Sequence, residues 1–288
     1  MKLASFSYNN NESFGIVTDG GVIDLKKKFG NKYENLKSFI EQNGTEEVKN
    51  LSTEQIDYSL EEISFLPVIT NPSKVLCVGL NYRAHVEECE AEETDYPVIF
   101  LRVADSQIGH QEDLILPKES TMFDYEGEIA IVIGKGGRRI KEEEAYDHIA
   151  GYACYNDGSI RDWQLRTGQW TPGKNFNGTG AFGPWMVTRG EIQDGEVLTL
   201  ETRVNGQVMQ KTTTDLLINS IPRLISFIST FTTLNPGDVI VTGTPGGVGL
   251  KREPQFFLKD GDKVEIEVSK IGTLVNKVKA EVAVETPV

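Results

Sequence analysis

The segment FDYEGEIAIVI, residues 123–133, joins two glutamates to an unbroken apolar run. Residues 129–133 are mostly β-branched and carry no polar member, as in strands that are buried on both faces. If the whole segment is one strand, its period of two places Glu126 and Glu128 on the same face, about 7 Å apart. Such a pair is usually a solvated strand face. Here it leads into the core, where buried carboxylates require a cation.

Short apolar runs of the same kind dominate the rest of the chain. Gly, Pro and Asp-Gly signals separate them, and the Asn-Gly pair at residues 205–206 predicts a tight hairpin, so the pattern indicates a β-rich α+β fold. One helix is predicted at residues 214–231, with Pro222 as its one awkward residue. Strands and helices do not alternate regularly, which disfavours a doubly wound parallel sheet. The apolar runs are residues 75–78, 98–101, 128–133, 152–155, 197–204, 239–242 and 264–268.

The first 70 residues are predicted to form a small α+β domain. Three strand-like runs are separated by Asn and Gly turns, and an amphipathic helix is predicted at residues 33–42. Pro67 and Pro72 then mark a boundary. The sequence therefore predicts two domains, residues 1–70 and residues 71–288. The strand-like runs are residues 2–8, 13–18 and 22–25.

The composition argues against several classes of function. A net charge of −14 repels a phosphate backbone and an anionic lipid surface, so neither nucleic acid nor a membrane is predicted as a partner. An anionic substrate would need local cations or a metal to overcome this field. No run approaches the roughly 18 apolar residues of a membrane helix, and no secretory signal is recognisable, which predicts a cytoplasmic protein. The three cysteines form no CxxC pair, so neither a disulfide framework nor a thiolate zinc site is indicated.

Asp157 ends another apolar run and could complete a set of three oxygen ligands with Glu126 and Glu128. Three carboxylates without His or Cys favour Mg²⁺ or Mn²⁺, with Ca²⁺ also allowed, over zinc. The alternative is that Asp157 lies in an ordinary Asn-Asp-Gly hairpin turn at residues 156–158. The sequence leaves both interpretations open.

A second candidate group is His85 with Glu88, which follow a strand-like run. On a helical turn, positions three residues apart face each other, so Glu88 could orient the imidazole of His85 as a general base. The alternative is a solvated His-Glu pair. Residues 83–93 carry many charges and few apolar anchors, which indicates a mobile segment that could act as a lid.

Two further segments could bind an anion. Lys174 lies among turn-forming residues, where an ordinary surface lysine is the alternative. Residues 242–249 form a glycine-rich loop whose backbone N–H groups could face an anion. The loop is neither a P-loop nor a dinucleotide fingerprint, so no nucleotide cofactor is predicted.

Taken in order, these segments resemble the fumarylacetoacetate hydrolase (FAH) family. As an ordered set they are specific, although each is weak alone, and the resemblance spans residues 72 to about 270. It implies a mixed β-roll catalytic domain that forms a homodimer. The matching segments are residues 75–82 (VLCVGLNY) with His85, residues 124–128 (DYEGE), Asn156 and Asp157 with Arg161, Asp162 and Gln164, residues 173–176 (GKNF) and residues 242–249 (TGTPGGVG).

The resemblance also implies roles for individual residues. The family's metal ligands, the water-activating pair on its lid, its substrate-contacting lysine and its carboxylate-binding loop all have matches in this chain. The metal ligands would be Glu126, Glu128 and Asp157, the catalytic residues His85, Glu88 and Lys174, and the substrate contacts Tyr82, Arg161, Gln164 and Thr244.

The resemblance implies an enzyme that hydrolyses a carbon-carbon bond in a small anionic 2-oxo acid. The substrate would be a 2,4-dioxo acid of the acylpyruvate type, with a divalent metal stabilising the enolate that leaves. One departure is Leu80, where several acylpyruvate-cleaving relatives have Arg. The alternatives are a decarboxylase, isomerase or hydratase of 2-oxo diacids in aromatic or sugar-acid catabolism, or a binding protein that has lost catalysis.

Overall fold

Strands outnumber helices throughout the described chain, which comprises residues 1–48, 51 and 55–282 of a computed structural model. In chain order the strands are β1 (Lys2–Tyr8), β2 (Asn11–Thr18), β3 (Gly21–Asp24), β4 (Ser64–Phe65), β5 (Val75–Gly79), β6 (Val98–Arg102), β7 (Gln107–Ile108), β8 (Asp113–Leu116), β9 (Phe123–Asp124), β10 (Gly127–Ile133), β11 (Ile149–Asp157), β12 (Ser159–Ile160), β13 (Gly180–Thr188), β14 (Thr199–Val204), β15 (Gln207–Thr213), β16 (Val239–Val241), β17 (Lys263–Val268) and β18 (Gly272–Ala280). The helices are α1 (Leu25–Phe29), α2 (Leu36–Glu41), α3 (Arg83–Glu88), α4 (Arg161–Gln164), α5 (Thr171–Lys174) and α6 (Ile221–Phe231). The prediction of a β-rich α+β fold is confirmed.

The strands form one large mixed sheet, packed against a smaller one. Among the described residues the large sheet has eleven strands, in the order β3-β2-β1-β13-β11-β10-β16-β5-β6, with β4 beside β1 and β7 beside β13. The smaller sheet has the order β15-β14-β17-β18-β8, and β9 pairs with β12 alone. Most neighbours are antiparallel, while β16 and β5, β13 and β7, and β18 and β8 run parallel.

The central strand β10 is buried along its whole length, because both of its faces are covered. Ile129 and Ile131 face a core shared with the smaller sheet and α6. Ala130 and Val132 face a second core that includes residues of α2. Because side chains alternate along a strand, the two faces of β10 pack against two different cores. This agrees with the buried strand that the apolar run predicted.

Two sequence predictions change in detail. The helix predicted at residues 214–231 begins only at Ile221, where Ser220 caps its N-terminus and Pro222 lies in the first turn. A proline is tolerated there because its missing N–H would be unpaired in any case. The hairpin at Asn205 and Gly206 is confirmed, since both residues have the positive φ angles, 51° and 80°, that this turn requires.

The N-terminal strands belong to the large sheet. Strand β1 pairs with β13 through Lys2 and Leu3. The helix predicted at residues 33–42 is present as the shorter α2, whereas α1 was not predicted. Asn35 forms a capping box with Ser38, which starts α2 three residues later than predicted. The division at residue 70 stays a prediction, and residues 49, 50, 52–54 and 283–288 of the two predicted domains lie outside the described residues.

Gly158, directly after β11, provides a test of this packing. A Cβ atom at Gly158 would lie 2.1 Å from the backbone oxygen of Thr179, whereas one at Gly168 would meet nothing within 4 Å. We expect Gly158→Ala to lower the free energy of unfolding by about 1–3 kcal/mol, because the backbone must shift. Gly168→Ala should change it by less than about 0.5 kcal/mol. Urea unfolding of both variants measures the difference, and equal midpoints would show that Gly158 is not closely packed.

Candidate active site

Three carboxylates converge where β10 begins and β11 ends. Glu126 directly precedes β10, Glu128 is its second residue, and Asp157 is the last residue of β11. The two strands are antiparallel, with Gly127 opposite Asn156, so their ends bring the carboxylates together. One ligand atom from each of the three lies within 4.8 Å of the others, and all three side chains are buried. Asp157 is paired in the sheet, so the alternative of a hairpin turn at this residue does not hold.

The strand prediction for residues 123–128 was wrong in one respect. Strand β9 ends at Asp124, and β10 starts only at Gly127, so Glu126 and Glu128 do not share one continuous strand. The break allows Glu126 N–H to donate to the side chain of Asn156. The two carboxylates converge all the same, since one oxygen of each lies within 4.8 Å of the other.

Three buried cations balance most of this charge. Lys174 Nζ lies 2.7 Å from both Glu126 Oε2 and Asp157 Oδ2. Arg161 Nη1 lies 2.6 Å from Glu126 Oε1, and Arg102 Nη1 lies 2.6 Å from Asp157 Oδ1. Burial alone would oppose ionisation of Glu126, but the charges of Lys174 and Arg161 outweigh it, so the pKa of Glu126 falls below its usual value.

Glu128 is the carboxylate without a cationic partner in the described part of the chain. It accepts a hydrogen bond of 2.5 Å from Gly243 N–H, but forms no ion pair there. Burial, followed by the nearby charges of Asp157 and Glu126, raises its pKa well above the usual value. Counting Asp124, four buried carboxylates face three buried cations, so ionisation of all four would leave one negative charge in excess, and the raised pKa of Glu128 opposes it. Hard oxygen donors with excess negative charge suit a divalent ion such as Mg²⁺, Mn²⁺ or Ca²⁺.

His85 and Glu88 form a hydrogen-bonded pair beside the carboxylates. Both lie on α3, and His85 Nδ1 is 2.7 Å from Glu88 Oε1. The other oxygen, Glu88 Oε2, accepts a hydrogen bond from Gly247 N–H, so the glycine-rich loop fixes the glutamate. Burial opposes protonation of His85, but its hydrogen bonds with Cys89 and Glu88 prevail and raise its pKa to about 9. The predicted pair is therefore formed in the structure.

The glycine-rich loop uses its backbone donors within the protein. Gly243 N–H binds Glu128, Gly247 N–H binds Glu88 and Gly249 N–H binds Asp124. The Thr244 hydroxyl donates to Gly127 O and accepts from Gln210. The loop thus orients Glu128, Glu88 and Asp124 through its backbone N–H groups. Its predicted contact with the substrate through Thr244 stays a prediction.

A cavity of about 300 Å³ lies in front of these groups. It is lined by Glu126, Glu128, His85 and Lys174, and by three of the four predicted substrate contacts, Arg161, Gln164 and Thr244. Tyr82 is not among the described residues that line it. Its hydroxyl is buried and has no hydrogen-bond partner within the described part of the chain, and burial raises its pKa. Part of the lining is apolar and was not predicted: this apolar wall includes Leu80, Phe100, Leu165 and Trp170.

A larger groove lies on another part of the molecule. It measures about 1030 Å³ and is lined by Met1, Ile40 and Arg189 among others, but by none of the three carboxylates. Volume alone would select this groove. We assign the site to the smaller cavity, because buried charges with perturbed pKa values converge there.

Arg102 was not predicted from the sequence. It is the last residue of β6 and the single arginine of the run VIFLR, residues 98–102. Its guanidinium is fully buried and also donates to Gly158 O and to the hydroxyl of Thr179. An arginine that ends an apolar strand is the signal that could have revealed it, because a buried arginine requires an acidic partner.

Comparison with known proteins places the chain in a family. A model described as fumarylacetoacetate (FAA) hydrolase C-terminal matches residues 74–279. The chain is 41% identical over 264 residues to oxaloacetate tautomerase FAHD2A, mitochondrial, of Bos taurus, covering 90% of this chain and 84% of that one. It therefore belongs to the fumarylacetoacetate hydrolase family of enzymes, as its motifs indicated.

Two solved structures agree with this assignment. Fumarylacetoacetate hydrolase from psychrophilic Exiguobacterium antarcticum aligns with a TM-score of 0.82 at 32% identity, over 98% of this chain and 100% of that chain. Maleylpyruvate hydrolase from Sphingobium sp. SYK-6, in complex with manganese(II) ion and pyruvate, aligns with a TM-score of 0.81 at 27% identity, with the same coverage. The prediction of an FAH-type fold is confirmed.

The predicted cytoplasmic localisation was wrong. The bovine relative and the human one, which is 39% identical, are both named as mitochondrial proteins. The prediction depended on finding no apolar secretory or membrane segment. The absence of such a segment does not distinguish the cytoplasm from the mitochondrion, because mitochondrial targeting segments are amphipathic and not apolar. In the described residues, no helix is both long and apolar enough to cross a bilayer.

The pair formed by Arg102 and Asp157 yields a prediction about stability. Arg102→Met leaves a buried carboxylate without its cation, so we expect the free energy of unfolding to fall by about 3–5 kcal/mol. Arg83→Met is the control, because Arg83 is exposed and its ion pair with Glu93 is worth less than about 1 kcal/mol. Urea unfolding measures the free energy of unfolding of both variants. A decrease of the same size in both would disprove the structural role of Arg102.

Proposed function

We propose that this protein is a divalent-metal-dependent enzyme that interconverts the keto and enol forms of a small 2-oxo diacid such as oxaloacetate. One observation carries the proposal. Two carboxylates of the buried triad, Glu126 and Glu128, line the same cavity as an oriented imidazole, His85. Enolisation requires a cation that polarises the carbonyl group of the substrate and a side chain that transfers a proton to or from the adjacent carbon. The relatives named as oxaloacetate tautomerases support the choice of reaction.

Glu126, Glu128 and Asp157 would hold the metal, Mg²⁺ or Mn²⁺, with Ca²⁺ as the third candidate. When bound, the ion supplies Lewis acidity toward the 2-oxo group of the substrate. The donor set consists of oxygen atoms only and is already oriented by the strands β10 and β11. The related maleylpyruvate hydrolase structure contains manganese and pyruvate, which supports both the metal and the 2-oxo acid.

Arg161 is suited to bind a carboxylate of the substrate. It lines the cavity, is 3% exposed, and its Nη2 atom has no hydrogen-bond partner among the described residues. A buried guanidinium N–H without an acceptor is costly, and a ligand carboxylate would satisfy it. Lys251 also lines the cavity. These cations counter the net charge of −14 at the place where an anionic acid must enter.

The proton transfer is assigned to His85. In the direction from keto to enol, His85 takes the proton from C3, the C–H electrons form the C2–C3 double bond, and the carbonyl electron pair moves to the C2 oxygen, which then gains a proton. The reverse reaction begins with the protonated imidazole, the form that its raised pKa favours, and delivers a proton to C3. Glu88 holds Nδ1, which leaves Nε2 for the substrate.

Hydrolysis of a 2,4-dioxo acid is the second candidate. The maleylpyruvate hydrolase relative and the oriented pair of His85 and Glu88 favour it, because the pair could equally activate water. Hydrolysis also needs a donor for the oxyanion, the role predicted for Lys174. In the structure Lys174 Nζ is committed to Glu126 and Asp157 at 2.7 Å and is 1% exposed. Enolisation develops its negative charge on the C2 oxygen, where the metal would stabilise it without Lys174. We therefore rank enolisation first, ahead of hydrolysis, decarboxylation and loss of catalysis.

A metal titration tests the triad. Isothermal calorimetry with Mn²⁺ or Mg²⁺ should detect one site, and Glu128→Gln should weaken it at least about tenfold, because the variant replaces a charged carboxylate ligand with a neutral amide oxygen. Glu119→Gln is the matched control, since Glu119 is exposed and has no ion pair among the described residues. Unchanged affinity in Glu128→Gln would refute the proposed ligand set.

The reaction itself can be followed by the ultraviolet absorbance of enol oxaloacetate. With Mg²⁺ present the protein should accelerate the loss of the enol, and His85→Gln should lower this rate by about 10²–10⁴-fold, because proton transfer then lacks its group. Glu87→Gln, exposed on the same helix, should keep the rate. Pyruvate release from acetylpyruvate without any effect on enol oxaloacetate would select hydrolysis instead.

A further inference from the structure

Cys89 lies beside His85 and Glu88, and it neither gives nor takes a proton in the proposed reaction. It follows α3, and its Sγ atom is 3.9 Å from both ring nitrogens of His85. One ligand atom each from His85, Glu88 and Cys89 lies within 4.8 Å of the others. Positions i, i+3 and i+4 of a helix share a face, which explains why the three side chains converge.

The three side chains differ in chemistry from the carboxylate triad. They offer one imidazole nitrogen, one carboxylate oxygen and one sulfur, the donor types that zinc prefers. Zinc lies about 2.0–2.3 Å from such atoms, so the ligand atoms of a tetrahedral site are about 3.3–3.7 Å apart. The observed separations of 2.7 Å between nitrogen and oxygen and 3.9 Å between nitrogen and sulfur bracket that range. Small side-chain rotations would therefore complete the geometry.

The cluster is accessible and partly fixed. His85 and Cys89 line the cavity, and Cys89 is half-buried, whereas Cys77 and Cys154 are buried. Gly247 N–H holds the carboxylate of Glu88, so that one ligand is already oriented. A fourth coordination position would open into the cavity. A rule that looks for paired cysteines does not detect such a site, because only one thiolate is involved.

We propose that His85, Glu88 and Cys89 form a second, inhibitory metal site that binds Zn²⁺. Zinc replaces the proton of the Cys89 thiol and one ring proton of the protonated His85 imidazole, both of which are released to solvent, and takes the lone pair freed on that His85 nitrogen. His85 then cannot exchange a proton with the substrate, while the carboxylate triad keeps its own ion. The inhibition rests on the proposed function, whereas the existence of the zinc site does not.

Cobalt provides a readout that is independent of activity. Co²⁺ replaces zinc at such sites, and its bond to a thiolate gives a charge-transfer absorption in the near ultraviolet that oxygen ligands do not give. We expect this band when Co²⁺ is added to the full chain saturated with Mg²⁺. It should persist in Glu126→Gln, which alters the triad, and in Glu90→Gln, an exposed control beside the cluster. It should be absent in Cys89→Ser and in Cys89→Ala.

The cobalt absorption shows whether the metal site at Cys89 exists, independently of whether the enzyme acts on oxaloacetate. No band in the wild-type chain, or a band that survives both Cys89 substitutions, overturns the proposal. The two substitutions guard against a folding defect in either one, which circular dichroism would reveal.

Inhibition is measured separately, with each variant normalised to its own rate without zinc. The Zn²⁺ concentration that halves the enolisation rate should rise at least about tenfold in Cys89→Ser, because one ligand is lost. Equal inhibition of both proteins would overturn the inhibitory role, since zinc would then act at the triad. A wild-type chain that lacks enolisation activity refutes the proposed function and the inhibition, while the cobalt absorption still decides whether the zinc site exists.

Discussion

The burial of negative charge at one end of β10 and β11 is the constraint on which the site depends. An ionised carboxylate without partners is very costly inside a protein. Here three buried carboxylates place oxygen atoms within 4.8 Å of one another. The chain meets this cost with cations from separate elements: Arg102 from β6, Arg161 from α4 and Lys174 from α5. Distant parts of the sequence are thereby tied to one point of the sheet.

The glycine-rich loop extends the same constraint to the other side of the cavity. Its sequence suggested that the N–H groups are free donors for a substrate anion. In the structure those groups serve Glu128, Glu88 and Asp124, three carboxylates of the protein itself. Asp124 also accepts from Arg161 Nε at 2.9 Å, which connects the loop to α4. The loop therefore orients these three carboxylates, and its glycines are needed because the backbone approaches side chains closely: a Cβ at Gly249 would lie 2.7 Å from Asp124 Oδ1.

The sequence predicted well those features that follow from local patterns. The apolar run of β10 revealed a strand buried on both faces, and the ordered motifs revealed the family. It failed where the decisive partner lies far along the chain. Arg102 is 55 residues from Asp157, and no local pattern links them. The apolar wall with Phe100 and Trp170 was missed for the same reason, since its members meet only after folding. The start of α6 was misplaced because a helical stripe does not show where a cap such as Ser220 interrupts it.

The arithmetic of charge connects the site to the surface of the protein. With all four of its carboxylates ionised, the buried cluster would carry one negative charge in excess, in a chain whose net charge is −14. An anionic acid is repelled by both. A divalent cation at the triad would change this excess from one negative to one positive charge, and a partly desolvated cavity screens the reversal less than bulk water does. Under the proposed function, the metal thus does more than polarise a carbonyl group: it makes an acidic protein able to attract its own anionic substrate.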